Sequence, residues 1–179
     1  MRTLSPAPTV PSRNLARLAL FLALTCSSLF LGGCKSGKKD VLEPGQIPSI
    51  SLTDLEGKTY TFGPKDEKVT LVVFWATWCH PCLMEIPSLV EFHKKYASKG
   101  FRVVSINIDD AEGQKMAAVY QKYGINYPML MDDGKSDAKF GGIEALPTSF
   151  LVGRDGKLVK AFVGLYPAKV VEDEILKAL

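Results

Sequence analysis

Cys79 and Cys82 stand three apart in Trp78-Cys79-His80-Pro81-Cys82. Thiols at that spacing suit two chemistries. Disulfide exchange needs an accessible thiolate to attack and a second thiol near enough to resolve the mixed disulfide. A structural metal site needs four ligands at set spacings, of which this segment would supply half. Exchange calls for Cys79 at a helix N-terminus, where the partial positive charge favours its thiolate and the first turn brings Cys82 beneath it. Pro81 suits that turn, since its missing N–H breaks no bond there. In this arrangement Cys79 is the nucleophile and Cys82 the resolving thiol. The metal reading is short of ligands, because the chain has only 2 histidines. His80 lies inside the loop with the cysteines, and His93 falls about 16 Å further along a helix at 1.5 Å per residue. Neither completes a tetrahedron easily, so a redox pair with no metal and no cofactor is expected.

The surrounding elements follow from hydrophobic periodicity. Val69 to Trp75 is a continuous apolar and β-branched run, as a central strand covered on both faces requires. It leads straight into the cysteines. Helical spacing runs from Cys79 to Ser98, with Pro87 removing a mid-helix hydrogen bond and bending it, and Phe101 to Ile108 is a second buried strand. Strand, helix, strand with this crossover implies parallel pairing. Ahead of it, Ile50 to Leu55 and Lys58 to Phe62 flank Glu56-Gly57 as a hairpin. Downstream come a helix over Glu112 to Tyr123 closed by Gly124, a strand over Tyr127 to Met131, and a helical turn over Ser136 to Phe140. Thr148 to Val152 and Lys157 to Val163 flank Arg154-Asp155-Gly156 as a second hairpin, and Pro167 opens a last helix to Leu179.

The net charge of +3 has a local origin. Arg2, Arg13 and Arg17 account for it, since without them 19 basic residues face 19 acidic ones. No basic footprint remains, and nucleic acid is not an expected partner. The basic lead ending at Arg17, the apolar run Leu18 to Leu31 and Leu31-Gly32-Gly33-Cys34 read as an export signal. The run falls short of the roughly 20 residues a membrane span needs. Leu31 to Cys34 resembles a bacterial lipobox, which implies cleavage before Cys34 and its lipidation, with Lys35 after it favouring an outer membrane. Residues 1–33 are then a lipoprotein signal peptide, 34–46 a polar tether and 47–179 the folded domain. Cys26 leaves with the signal and Cys34 carries lipid, so Cys79 and Cys82 remain.

Phe74-Trp75-Ala76-Thr77-Trp78-Cys79-His80-Pro81-Cys82 is similar to the active-site segment of the TlpA/ResA-like branch of the thioredoxin superfamily. The likeness spans about Ile47 to Leu179. It implies an α/β thioredoxin-like fold: a central mixed β-sheet flanked by helices, an N-terminal β-hairpin, and a β-α insertion at about Asp109 to Met131. Leu146-Pro147 matches the family's cis-proline loop, where the backbone before Pro pairs with a substrate peptide. Trp75, Trp78, Pro81 and Leu146 would border the dithiol as an apolar docking surface. Glu85 matches the acid that ResA-like proteins keep one turn beyond the second Cys. On a helical wheel with Cys82 at zero, Leu89, Ile86, Tyr96, Val90, Phe92 and Leu83 span about −80° to +100°, and Glu85 falls inside at about −60°. A carboxylate there should have a raised pKa and could exchange a proton with Cys82. Thioredoxins proper carry a buried Asp where Val73 stands, so their relay does not transfer. His80 is expected to tune the redox potential, and His93, at about +20°, to be a core histidine with a satisfied hydrogen bond.

The resemblance implies an extracytoplasmic, lipid-anchored thiol-disulfide oxidoreductase. It would reduce disulfides in exported client proteins, such as apocytochromes in cytochrome c maturation, and be recharged by a membrane thiol-reducing donor. Three alternatives stand beside it. A disulfide-forming oxidase uses the same residues. A thiol peroxidase would need Pro where Val72 stands and Thr where Ala76 stands. A copper-carrying module suits soft thiolates, but such relatives carry Cys-x-x-x-Cys and a distant His.

Overall fold

The computed structural model describes residues 45–64, 66–109 and 113–179. The expected signal peptide, Cys34 and most of the expected tether lie outside them. The elements in chain order are β1 (Ile50–Thr53), β2 (Thr59–Phe62), β3 (Val69–Trp75), α1 (His80–Tyr96), β4 (Phe101–Asn107), α2 (Gly113–Tyr123), β5 (Met129–Met131), α3 (Ser136–Lys139), β6 (Thr148–Val152), β7 (Leu158–Val163) and α4 (Ala168–Ala178).

Five strands form one mixed sheet in the order β5-β4-β3-β6-β7. β3 pairs parallel to β4 along its whole length and antiparallel to β6 from Thr70 to Phe74, so the middle of the run has strand neighbours on both sides. The same run is buried on both faces because its alternate side chains enter different cores. Leu71, Val73 and Trp75 pack with Ile86, Leu89 and Phe92 of α1 and with Val171 and Ile175 of α4. Val72 and Phe74 pack with Ile50, Leu52 and Phe62 of the β1–β2 hairpin and with Phe140 and Phe150. Burying an apolar side chain of this size contributes about 1.5–3 kcal/mol. α1 is therefore clamped to the sheet along its whole length, which fixes its N-terminus at the carboxyl end of β3.

Element ends differ from the periodicity by a few residues, for local reasons. β1 stops at Thr53 because the carboxylate of Asp54 accepts the N–H groups of Glu56 and Lys58 and turns the chain. β5 starts only at Met129, after Pro128, whose missing N–H cannot join a ladder. α1 ends at Tyr96 and passes through one 3-10 turn to Gly100, which closes it at φ 82°. Pro87 sits inside α1, and the helix continues past it as one element. Ordered pairing begins slightly ahead of Ile47: Gln46 bridges Lys157, and the Ile47 N–H donates to the carbonyl of Gly156 at 2.8 Å. Gly156 must be glycine there, with φ 75° and Pro64 Cα only 2.3 Å from where a Cβ would stand.

Candidate functional site

β3 delivers the chain to a tight turn in which the Cys79 N–H donates to the carbonyl of Ala76 at 3.1 Å. Cys79 is the N-cap of α1, and its Sγ accepts the Cys82 N–H at 3.3 Å. The two cysteines are joined as a disulfide, with Cα atoms 5.3 Å apart. Both are largely covered, Cys79 at 5% exposure and Cys82 at 2%, so Cys79 is reached only from one side. His80 and Pro81 are exposed on the first turn.

That open side is a groove of about 430 Å³, lined by Trp78, Cys79, His80 and Pro81 on one wall and Ile108, Ile143, Glu144, Ala145 and Leu146 on the other. Trp78 is 72% exposed at its rim. Leu146-Pro147 is a cis peptide bond. Pro147 is buried behind Leu146, and its carbonyl accepts the Gly164 N–H at 2.8 Å. Trp75 is not part of the docking surface: at 3% exposure it packs beneath the disulfide, because its parity in β3 points it toward α1.

The other side of the pair is closed. Cys82 lines a cavity of only about 10 Å³, together with Val73, Ser105 and Tyr127. No carboxylate stands at Val73, as its identity required. One turn further along α1, Glu85 is 7% exposed, and its Oε2 has no hydrogen-bond partner among the described residues. Burial without compensation raises its pKa from the usual 4.5 to about 7. The Tyr127 phenol is pushed up as well, first by its own burial and then by the charge of Glu85. Glu85 also borders a cleft of about 380 Å³, with Leu165, Tyr166 and Pro167.

His93 is a structural residue. Its Nδ1 accepts the Val103 N–H at 3.1 Å, which satisfies a strand donor beyond the end of β5. Partial burial and Lys68 lower its pKa.

Two residues that periodicity did not single out also touch the site. The carboxylate of Asp109 accepts the Thr77 N–H at 2.9 and 3.1 Å, and buried Asn107 accepts the Asp109 N–H at 3.0 Å. A polar pair at the carboxyl end of the strand beside β3 is the one signal that could have found them, since crevices in α/β sheets open there.

A family model described as Redoxin matches residues 43–179. The chain belongs to the Redoxin family. It is 33% identical over 132 residues to the thiol-disulfide oxidoreductase ResA of Bacillus thuringiensis (strain Al Hakam), covering 74% of this chain and 76% of that protein. The ResA of Bacillus subtilis (strain 168) is 28% identical over 166 residues, 90% of each chain. Among solved structures, a thiol:disulfide interchange protein of the thioredoxin family from Chlorobium tepidum TLS superposes with a TM-score of 0.70 at 30% identity, covering 76% of this chain and 97% of its own. The fold is thus thioredoxin-like, and the chain is a thiol-disulfide oxidoreductase of the ResA type. Among the described residues no helix is long and apolar enough to cross a membrane.

Proposed function

We propose that this oxidoreductase is an exported reductant, held to a bacterial membrane by lipid on Cys34 and facing the extracytoplasmic space. In the reduced enzyme the Cys79 thiolate attacks a sulfur of a client disulfide. The client S–S bond breaks, a Cys79–client mixed disulfide forms, and the client's other sulfur leaves as a thiolate. Cys82 then attacks Cys79 Sγ, releasing the client as a dithiol and leaving the enzyme oxidised by two electrons. A membrane thiol-reducing donor returns those electrons by the reverse exchange.

One observation supports the exchange chemistry above the rest: the disulfide caps α1 with Cys79 open to a groove, Cys82 sealed, and the carboxyl of Glu85 buried one turn beyond. Cys82, sealed at 2% exposure, must lose a proton before it can attack, and bulk water does not reach it. Glu85, one turn further along α1 and lining the cleft at Leu165 and Tyr166, would accept that proton. A client strand laid along Leu146, with its disulfide over Cys79 and apolar contacts to Trp78 and Pro81, fits the groove. Exposed His80 sits where it can tune the potential. The proposed clients include apocytochromes in cytochrome c maturation, a reading that the resemblance of the Cys79–Cys82 segment to the TlpA/ResA-like branch supports.

Trapping tests the client class. Cys82→Ser leaves Cys79 able to attack but not to be released, so exported proteins with cysteine pairs should accumulate as mixed disulfides. Recovery of none would remove the client reading. Separately, Cys34→Ser should move the mature protein from the membrane to the soluble fraction, and retention in the membrane would remove the anchor.

A further inference from the structure

The loop that presents Cys79 is tied to the opposite wall of the groove by the carboxylate of Asp109. Asp109 grips the Thr77 N–H through both oxygens, at 3.1 and 2.9 Å, two residues before the nucleophile. Its own N–H is held at 3.0 Å by Oδ1 of Asn107, a side chain 2% exposed at the end of β4. Between them, Ile108 donates its N–H to the carbonyl of Trp75 at 3.0 Å and forms part of the groove facing Trp78 and Pro81. One hydrogen-bonded unit thus sets where the nucleophile's loop lies relative to Ile108.

We propose that Asp109 is a positioning residue with two separable effects: it fixes the width of the groove for a polypeptide client, and its charge disfavours the Cys79 thiolate and so keeps the pair reducing. The first effect rests on the hydrogen bonds. A bond to an ionised acceptor is stronger than one between neutral groups, and its loss frees the Thr77–Trp78 segment from the β4 end. The second rests on the charge. A carboxylate near a thiol opposes its ionisation, and a dithiol whose thiolate is less stabilised is a better reductant. The groove-width effect depends on the groove being the client's seat, as proposed above. The charge effect does not.

The test uses the full mature chain with Asp109→Ala and Asp109→Asn. Asn keeps an acceptor for Thr77 but no charge, whereas Ala keeps neither. Rates are measured on insulin and on a small aromatic disulfide, and the equilibrium with glutathione is measured for each protein. Asp109→Ala should lose about tenfold in kcat/KM on insulin, mostly through KM, and change little on the small disulfide. Asp109→Asn should keep the insulin rate within about twofold of wild type. Both variants should shift the glutathione equilibrium about two- to fivefold toward the dithiol, with a lower Cys79 pKa. Equal losses on both substrates, or no loss on insulin, would overturn the groove effect. An unchanged equilibrium in Asp109→Asn would overturn the charge effect, even if Asp109→Ala failed to fold. Wild-type protein inert on insulin would instead sink the client reading and leave the charge effect open to the same measurement.

Discussion

The two sides of the disulfide each carry a carboxylate, and they are built in opposite ways. On the groove side Asp109 is satisfied, with both oxygens on the Thr77 N–H. On the closed side Glu85 is buried, with Oε2 unpartnered among the described residues. A carboxylate whose oxygens are both engaged serves as an anchor. An unsatisfied one in an apolar setting takes up a proton and becomes able to exchange it. On the proposed reading the same functional group would give position on one side and proton traffic on the other, and the difference lies in what each was given to bond.

Ways to break this comparison start with the pair between the two carboxylates. Cys79→Ser should lower disulfide exchange by at least about 10³-fold, because no other described thiol can attack. The residual rate on insulin checks it, and a smaller loss would mean that the chemistry lies elsewhere.

Glu85→Gln comes next, and its effect has a defined pH window. The unfolded carboxyl titrates near 4.5 and the folded one at about 7, so between these values the native state keeps a proton that the unfolded state has lost. Stability contributed by the protonated form is complete below 4.5 and is lost as pH rises through 7. Glu85→Gln should thus be more stable than wild type by up to about 3 kcal/mol at pH 8 and equal to it at pH 4, in denaturant titrations of the oxidised protein. It should also resolve mixed disulfides more slowly above pH 7. Equal stability at both pH values would mean that the carboxyl is solvated, and the contrast with Asp109 would collapse.

Trp78→Ala should raise KM for a protein client by about tenfold while leaving the Cys79 pKa unchanged, since an exposed aromatic at a groove rim acts through docking. Steady-state kinetics with insulin and with a small disulfide separates the two. The smallest effect belongs to His93→Phe, which removes the acceptor for the Val103 N–H and should lower stability by about 1 kcal/mol without altering turnover. A loss of turnover there would give His93 a role that its bond from α1 to the Val103 N–H of β4 does not suggest.

Much of the fold was legible because the periods were strong. The uninterrupted run from Val69 to Trp75 could only be a strand covered on two faces, and the wheel of α1 put Glu85 on the buried arc where it lies. Trp75 was also legible in principle, since it shares the parity of Leu71 and Val73 and so faces α1. What periodicity could not reveal was partnership. Asp109 meets Thr77 across 32 residues of sequence, and nothing in the spacing of either announces the bond. The same holds for the missing partner of Glu85: burial follows from an angle, but an unsatisfied oxygen follows only from what every neighbouring element declines to offer.

The reducing character of the pair is tested most directly by the redox potential of Cys79/Cys82 at pH 7, from equilibrium with glutathione. A value near that of thioredoxin, about −270 mV, is expected of the proposed reductant. A value near −120 mV, that of a strong oxidase, would contradict it.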